Sequence, residues 1–96
     1  MSGMEKIRQQ RAQIFVIAAR HGAGQVRAFG SVVRNEDRPD SDIDFLVTMQ
    51  PGRDLLDLVS MAQELETLLH QRTDVVSDAL LSPYLKDQIL QEAVAI

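Results

Sequence analysis

Gly30-Ser31-Val32-Val33-Arg34-Asn35-Glu36-Asp37-Arg38-Pro39-Asp40-Ser41-Asp42-Ile43-Asp44-Phe45-Leu46-Val47-Thr48-Met49 is the stretch from which the fold is read. Its second half, Ile43 to Met49, is rich enough in β-branched and aromatic residues for a central strand, and Pro51-Gly52 ends it. Its first half opens with Gly30-Ser31, a tight turn carrying a hydroxyl placed to cap a short helix that starts near Val32. Asn35 to Asp40 is polar and closes in Pro39-Asp40, the composition of an exposed loop. Just upstream, Val26 to Phe29 is apolar apart from Arg27 and reads as a strand stopped by Gly30.

Outward from this centre the chain alternates. Ile7, Ile14, Ile17 and Ala18, spaced among Arg and Gln, predict one amphipathic helix from Glu5 to His21, closed by Gly22 and Gly24. Leu55, Leu58, Ala62, Leu65 and Leu69 predict a second from Asp54 to His70, with Asp54 as its cap. Thr73 to Ser77 follows as a third strand, and a last helix begins at Ser82-Pro83, serine as cap and proline in the first turn, and runs to about Ala93. The expected fold is α/β, a small mixed β-sheet of three strands with helices packed on at least one face, and residues 1–96 form one domain. Met1 to Met4 receive no structural role, and the terminal Val94-Ala95-Ile96 either closes the core or leaves apolar surface for a partner.

Composition narrows the chemistry. The chain is 45% hydrophobic and 25% charged, the balance of a folded globular protein rather than a disordered one. It has no cysteine, which removes disulfides and thiolate zinc sites, and its two histidines stand far apart. No apolar run approaches the roughly 20 residues that span a bilayer, and the start lacks a signal-peptide layout, so a cytoplasmic, non-membrane protein is expected. The net charge of −4 disfavours a broad nucleic-acid-binding surface. Eight of the ten basic residues are nevertheless arginine, which suits bidentate contact with phosphate or carboxylate.

Asp42 and Asp44 bracket Ile43 at the entry of the central strand, so side-chain alternation projects both carboxylates from one face. Alone, such a pair is more often a solvated turn. Asp74, at the start of the third strand, returns beside the second strand after a helical crossover and brings a third carboxylate towards the first two. Three ionised acids repel one another, and a divalent cation resolves the conflict; oxygen-only ligands favour magnesium. Gly30-Ser31 supplies a phosphate-approach turn, eleven residues before Asp42, and Arg34, on the same face as Ser31 if the segment is helical, can reach a phosphate.

Gly30-Ser31-Val32-Val33-Arg34, then Ser41-Asp42-Ile43-Asp44-Phe45-Leu46-Val47, then Thr73-Asp74-Val75-Val76 resembles the DNA polymerase β-like nucleotidyltransferase superfamily, from about Val26 to Ala93. The resemblance is strongest to the minimal nucleotidyltransferase antitoxins that accompany HEPN-domain ribonuclease toxins, whose ends resemble the run Leu85 to Val94. A departure from many relatives is Val32-Val33 after the serine. The resemblance implies a polymerase β palm-like fold in which Asp42 and Asp44 hold two magnesium ions, while Asp74 holds the catalytic ion and helps activate the acceptor. It also implies that Gly30, Ser31 and Arg34 bind the triphosphate of ATP. The function it implies is transfer of AMP from ATP to a protein hydroxyl, as an antitoxin that neutralises a HEPN-domain toxin by AMPylation. The alternatives are an antitoxin that inhibits its partner by contact alone, and a nucleotidyltransferase acting on a small molecule.

Other polar residues have plainer expectations. His21 and His70 close helices, where a cation complements the dipole. Asp78 is a rival third carboxylate only if the strand continues past Ser77, and otherwise belongs to a turn. Tyr84, the only tyrosine, is expected to pack or to hydrogen-bond rather than to accept self-modification.

Overall fold

Helix formation begins at Ser2, whose hydroxyl accepts the Glu5 N–H at 3.2 Å while the Glu5 carboxylate accepts the Ser2 N–H at 3.3 Å. The computed structural model describes residues 2–96, and helix α1 (Gly3–Gln9) follows this cap. Residues 2–4 therefore do have a structural role, whereas Met1 lies outside the described residues. The single helix expected over Glu5 to His21 is in fact two, α1 and α2 (Arg11–Arg20), separated at Gln10. The run Arg8 to Gln13 offers only Ala12 as an apolar side chain, so nothing holds one axis through it, and each half follows its own anchor. Ile7 enters the core from α1, Ile14 and Ala18 enter it from α2, and Lys6 donates to the Leu69 carbonyl at 3.1 Å.

Strand β1 (Ala23–Phe29) starts three residues before the expected Val26. Gly22, at φ +82°, turns the chain out of α2, and Gly24 sits inside the strand at a break in its register with β2 rather than helping to close the helix. Strand β2 (Ile43–Met49) runs antiparallel to β1, and β3 (Thr73–Ser77) lies parallel to β2 after the crossover helix α3 (Leu55–Leu69). Helix α4 (Pro83–Glu92) has Ser82 as its cap and proline in its first turn, as the sequence predicts. The tail forms a fourth strand, β4 (Val94–Ala95), antiparallel to β1, giving the order β3-β2-β1-β4 in place of the expected three strands. A two-residue strand carries no readable periodicity; it forms because the open edge of β1 offers unpaired backbone groups.

The core lies on one face of this mixed sheet. Ile7, Ile14, Ala18, Leu58, Met61, Leu65 and Leu69 of the first three helices pack on Val26, Ala28, Ile43, Phe45 and Val47. Helix α4 buries no residue. Alternation along β2 sends Ile43, Phe45 and Val47 into this core and turns Asp44, Leu46 and Thr48 to the opposite face. No helix among the described residues is long and apolar enough to cross a membrane.

Candidate active site

On that opposite face Asp44 stands across from Phe29 of β1 and beside Asp74 of β3 in the pairing register. Registered residues of parallel neighbours point to the same side, so the carboxylates of Asp44 and Asp74 share a face. Asp42 stands immediately before β2, half-exposed, with the Arg72 guanidinium 3.6 Å from its Oδ1. Arg72 is 80% exposed, so this is a loose surface pair of little energetic weight. The approach to Asp42 is pinned from beneath: the Gln71 amide donates to the Ser41 carbonyl at 2.5 Å, and the Lys6 ammonium donates to Gln71 Oε1 at 2.8 Å. The Ile43 N–H donates to the Arg72 carbonyl at 2.8 Å, locking the entry of β2 to that of β3.

Asp44 feels the charge of the other two acids. Partial burial, then the charge of Asp74, then that of Asp42 push the Asp44 carboxyl up to about 6, with Glu92 adding to the rise and Arg34 opposing it. The donor set is carboxylate oxygen alone, which suits magnesium, and a divalent cation would relieve the repulsion that lifts Asp44. As the side chains stand, no three carboxylates or imidazoles among the described residues close tightly enough to clasp an ion.

Gly30 ends β1 at φ +79°, and a Cβ there would collide with the Asp44 carboxylate, so the position requires glycine on two counts. The segment after it is a 3₁₀ turn, Gly30–Val32, with Phe29 in the capping position and no side-chain capping bond. The capping role expected of Ser31 is therefore not realised, and there is no helix long enough to lend a dipole to a phosphate. What the turn offers instead is backbone donors, the half-buried Ser31, whose hydroxyl has no partner among the described residues, and Arg34. Asn35, at φ 58°, turns the chain away into the loop.

Glu92, at the end of α4, joins the site without any sign in the sequence that it would. It accepts through Oε1 both the Gly30 N–H and an Arg34 guanidinium N–H, each at 2.6 Å; Arg34 also donates to Glu36 at 3.1 Å. The run Leu85 to Val94 bears a family resemblance, but nothing in its spacing could place its glutamate against a turn so far away along the chain. The remaining polar residues lie elsewhere. Asp78 falls in a 3₁₀ turn after β3 and accepts the Thr48 hydroxyl at 2.7 Å. His21 caps α2 and contacts Glu64, whose carboxyl is held below its ordinary range chiefly by that hydrogen bond; His70 ends α3 in the left-handed region. Tyr84, expected to pack or hydrogen-bond, is instead 89% exposed on α4, a helix that buries nothing for it to pack against.

A four-stranded mixed sheet, helices on one face, and acids from two adjoining strands beside a glycine-serine turn describe a nucleotidyltransferase domain. The chain matches the Nucleotidyltransferase domain family over residues 4–96 and belongs to it. It is 42% identical over 90 residues to a candidate protein adenylyltransferase of Methanocaldococcus jannaschii, a match covering 94% of this chain and 97% of that one. A solved structure described as a candidate minimal nucleotidyltransferase superimposes with a TM-score of 0.87 at 46% identity, covering 100% of this chain and 97% of the other. The fold is also that of a chain in the complex of a tri-AMPylated Shewanella oneidensis HEPN toxin with its MNT antitoxin, at 20% identity and a TM-score of 0.71, covering 92% of this chain and 69% of that one. The expected fold class and enzyme class both hold, with the strand count corrected to four.

Proposed function

We propose that this chain transfers AMP from ATP, with magnesium, to a hydroxyl of a protein, and that the acceptor is a HEPN-domain toxin silenced by the modification. The observation that carries the reading is that Asp44 and Asp74 stand side by side on one face of the sheet, with Asp42 just before β2 near enough for its charge to raise Asp44, and Gly30 set against the Asp44 carboxylate. Two features of its relatives support the acceptor class: the adenylyltransferase name of the archaeal protein and the AMPylated toxin in the solved complex. Residues 1–96 act as a single domain, in the cytoplasm where ATP is supplied.

Each residue has a part. Asp42 and Asp44 hold the nucleotide-bound magnesium, and Asp74, arriving on its own strand, completes a second site next to the acceptor. Gly30, Ser31 and Arg34 fix the triphosphate so that the acceptor oxygen attacks the α-phosphorus in line, and the bond to pyrophosphate breaks. The two magnesium ions, when bound, supply charge neutralisation at the leaving pyrophosphate and favour loss of the acceptor's proton.

The test is Asp74→Asn. The variant should bind Mg-ATP with nearly unchanged affinity in calorimetry, while AMP addition to the HEPN partner, followed by intact mass, falls at least about a hundredfold. Undiminished AMP addition would remove Asp74 from the catalytic set, and protection of cells without added mass would replace catalysis by inhibition through contact.

A further inference from the structure

The donors assigned to the nucleotide already have an anion on them. Glu92 Oε1 sits 2.6 Å from the Gly30 amide nitrogen and 2.6 Å from an Arg34 guanidinium nitrogen, short charge-assisted contacts of the kind a phosphate oxygen would make. The residue also lies close enough to the acidic face to raise Asp44, so its charge is placed where like charges gather. A role confined to holding the fold together is poorly served by this position, because α4 buries no residue and the acid adds repulsion.

We propose that Glu92 is an internal competitor for the triphosphate: its carboxylate occupies the anion subsite formed by Gly30 N–H and Arg34, and it leaves when the nucleotide enters. This rests on the proposed reading of the site as a nucleotide cradle. The segment that carries Glu92 is suited to yielding. Behind it β4 is paired to β1 only through Arg27 with Ala95 and Ala28 with Val94, and Val94 and Ala95 are themselves exposed. Ile96, partly buried against the core, ties the end down. The resting chain is therefore closed at the phosphate end, with affinity reduced by the fraction of molecules in which Glu92 is off the turn.

The experiment compares the full chain with Glu92→Ala and Glu92→Gln, measuring by calorimetry the affinities for Mg-ATP and for inorganic tripolyphosphate, with the Gly30 amide followed by NMR. Glu92→Ala should bind both ligands on the order of tenfold more tightly, as expected when a closed state dominant by that ratio is removed. Glu92→Gln, which keeps the shape without the charge, should fall between, and either variant suffices if the other fails to fold. In the wild type, tripolyphosphate should move the Gly30 amide resonance away from its carboxylate-bound position. Wild-type binding of Mg-ATP that is unchanged or weakened in the folded variants would overturn the competitor and assign Glu92 to holding Arg34 in place, leaving the proposed function intact. Absence of binding in wild type and variants alike would overturn both.

Discussion

Asp44 is where the demands of folding and of the site oppose each other most directly. Its carboxyl titrates at about 6 in the folded chain, against roughly 3.9 for a free aspartate, because burial, Asp74 and Asp42 all disfavour its charge. Between about pH 4 and pH 6 the folded state therefore keeps a proton that the unfolded state has lost, and this residue's contribution to stability falls as pH rises through that window. Above the window the metal-free protein carries the full penalty. Asp44→Asn should accordingly raise the melting temperature of the metal-free protein at pH 7.5, and the difference from wild type should grow from pH 4 to pH 6 and then level. Thermal melts in chelator across that range check it; a constant difference would mean that another group carries the titration. The placement of Asp44 beside Asp74 was legible because strand alternation and a crossover suffice to set it. Glu92 was not, because its meeting with Gly30 depends on how α4 and β4 return to the edge of β1, a tertiary outcome with no local pattern.

At the scale of elements, legibility follows the density of local signals. Helix α3 has an apolar repeat and an acid at its start, and the structure adds a reciprocal cap: Asp54 accepts the N–H groups of Leu56 and Asp57 at 3.0 and 3.3 Å, and Asp57 accepts the Asp54 N–H at 3.2 Å. The break at Gln10 and strand β4 were not legible, since one reflects missing anchors along a polar run and the other is too short to show a period. The capped helices α3 and α4 differ in what they hold: α3 buries Leu58, Met61, Leu65 and Leu69, whereas α4 buries nothing. Asp54→Ala should thus lower global stability by about 1 kcal/mol in urea denaturation with an unchanged slope. Ser82→Ala should mainly fray α4 and leave the global midpoint almost where it was. Equal effects from the two caps would show that α4 is part of the cooperative unit.

The molecule as a whole is small, with its first three helices packed on one face of the sheet and an acidic balance of −4. Chains of this size are stable by only about 5–15 kcal/mol, so a ligand that binds the folded form alone is a large fraction of the total. At a free concentration about 100 times its dissociation constant, Mg-ATP should contribute roughly 2.7 kcal/mol. For a domain of this length about 1 kcal/mol moves the melting temperature by roughly 4–8 °C, so the expected rise is on the order of 10–20 °C. The rise requires both components, because ATP without the metal brings more negative charge to a face that already repels itself, and the metal without ATP finds carboxylates that still stand apart. A core variant separates this from general stabilisation. Met61 is fully buried, and Met61→Ala should cost about 2–5 kcal/mol while keeping the Mg-ATP increment, since the cavity lies on the face opposite the site. Asp42→Asn should do the reverse, leaving the core intact and losing most of the increment. Differential scanning calorimetry of the three proteins with magnesium, ATP, both and neither decides the matter. An increment of equal size in Asp42→Asn would mean that nucleotide binding does not run through the carboxylates, and the open face of the sheet would lose its claim to be the site.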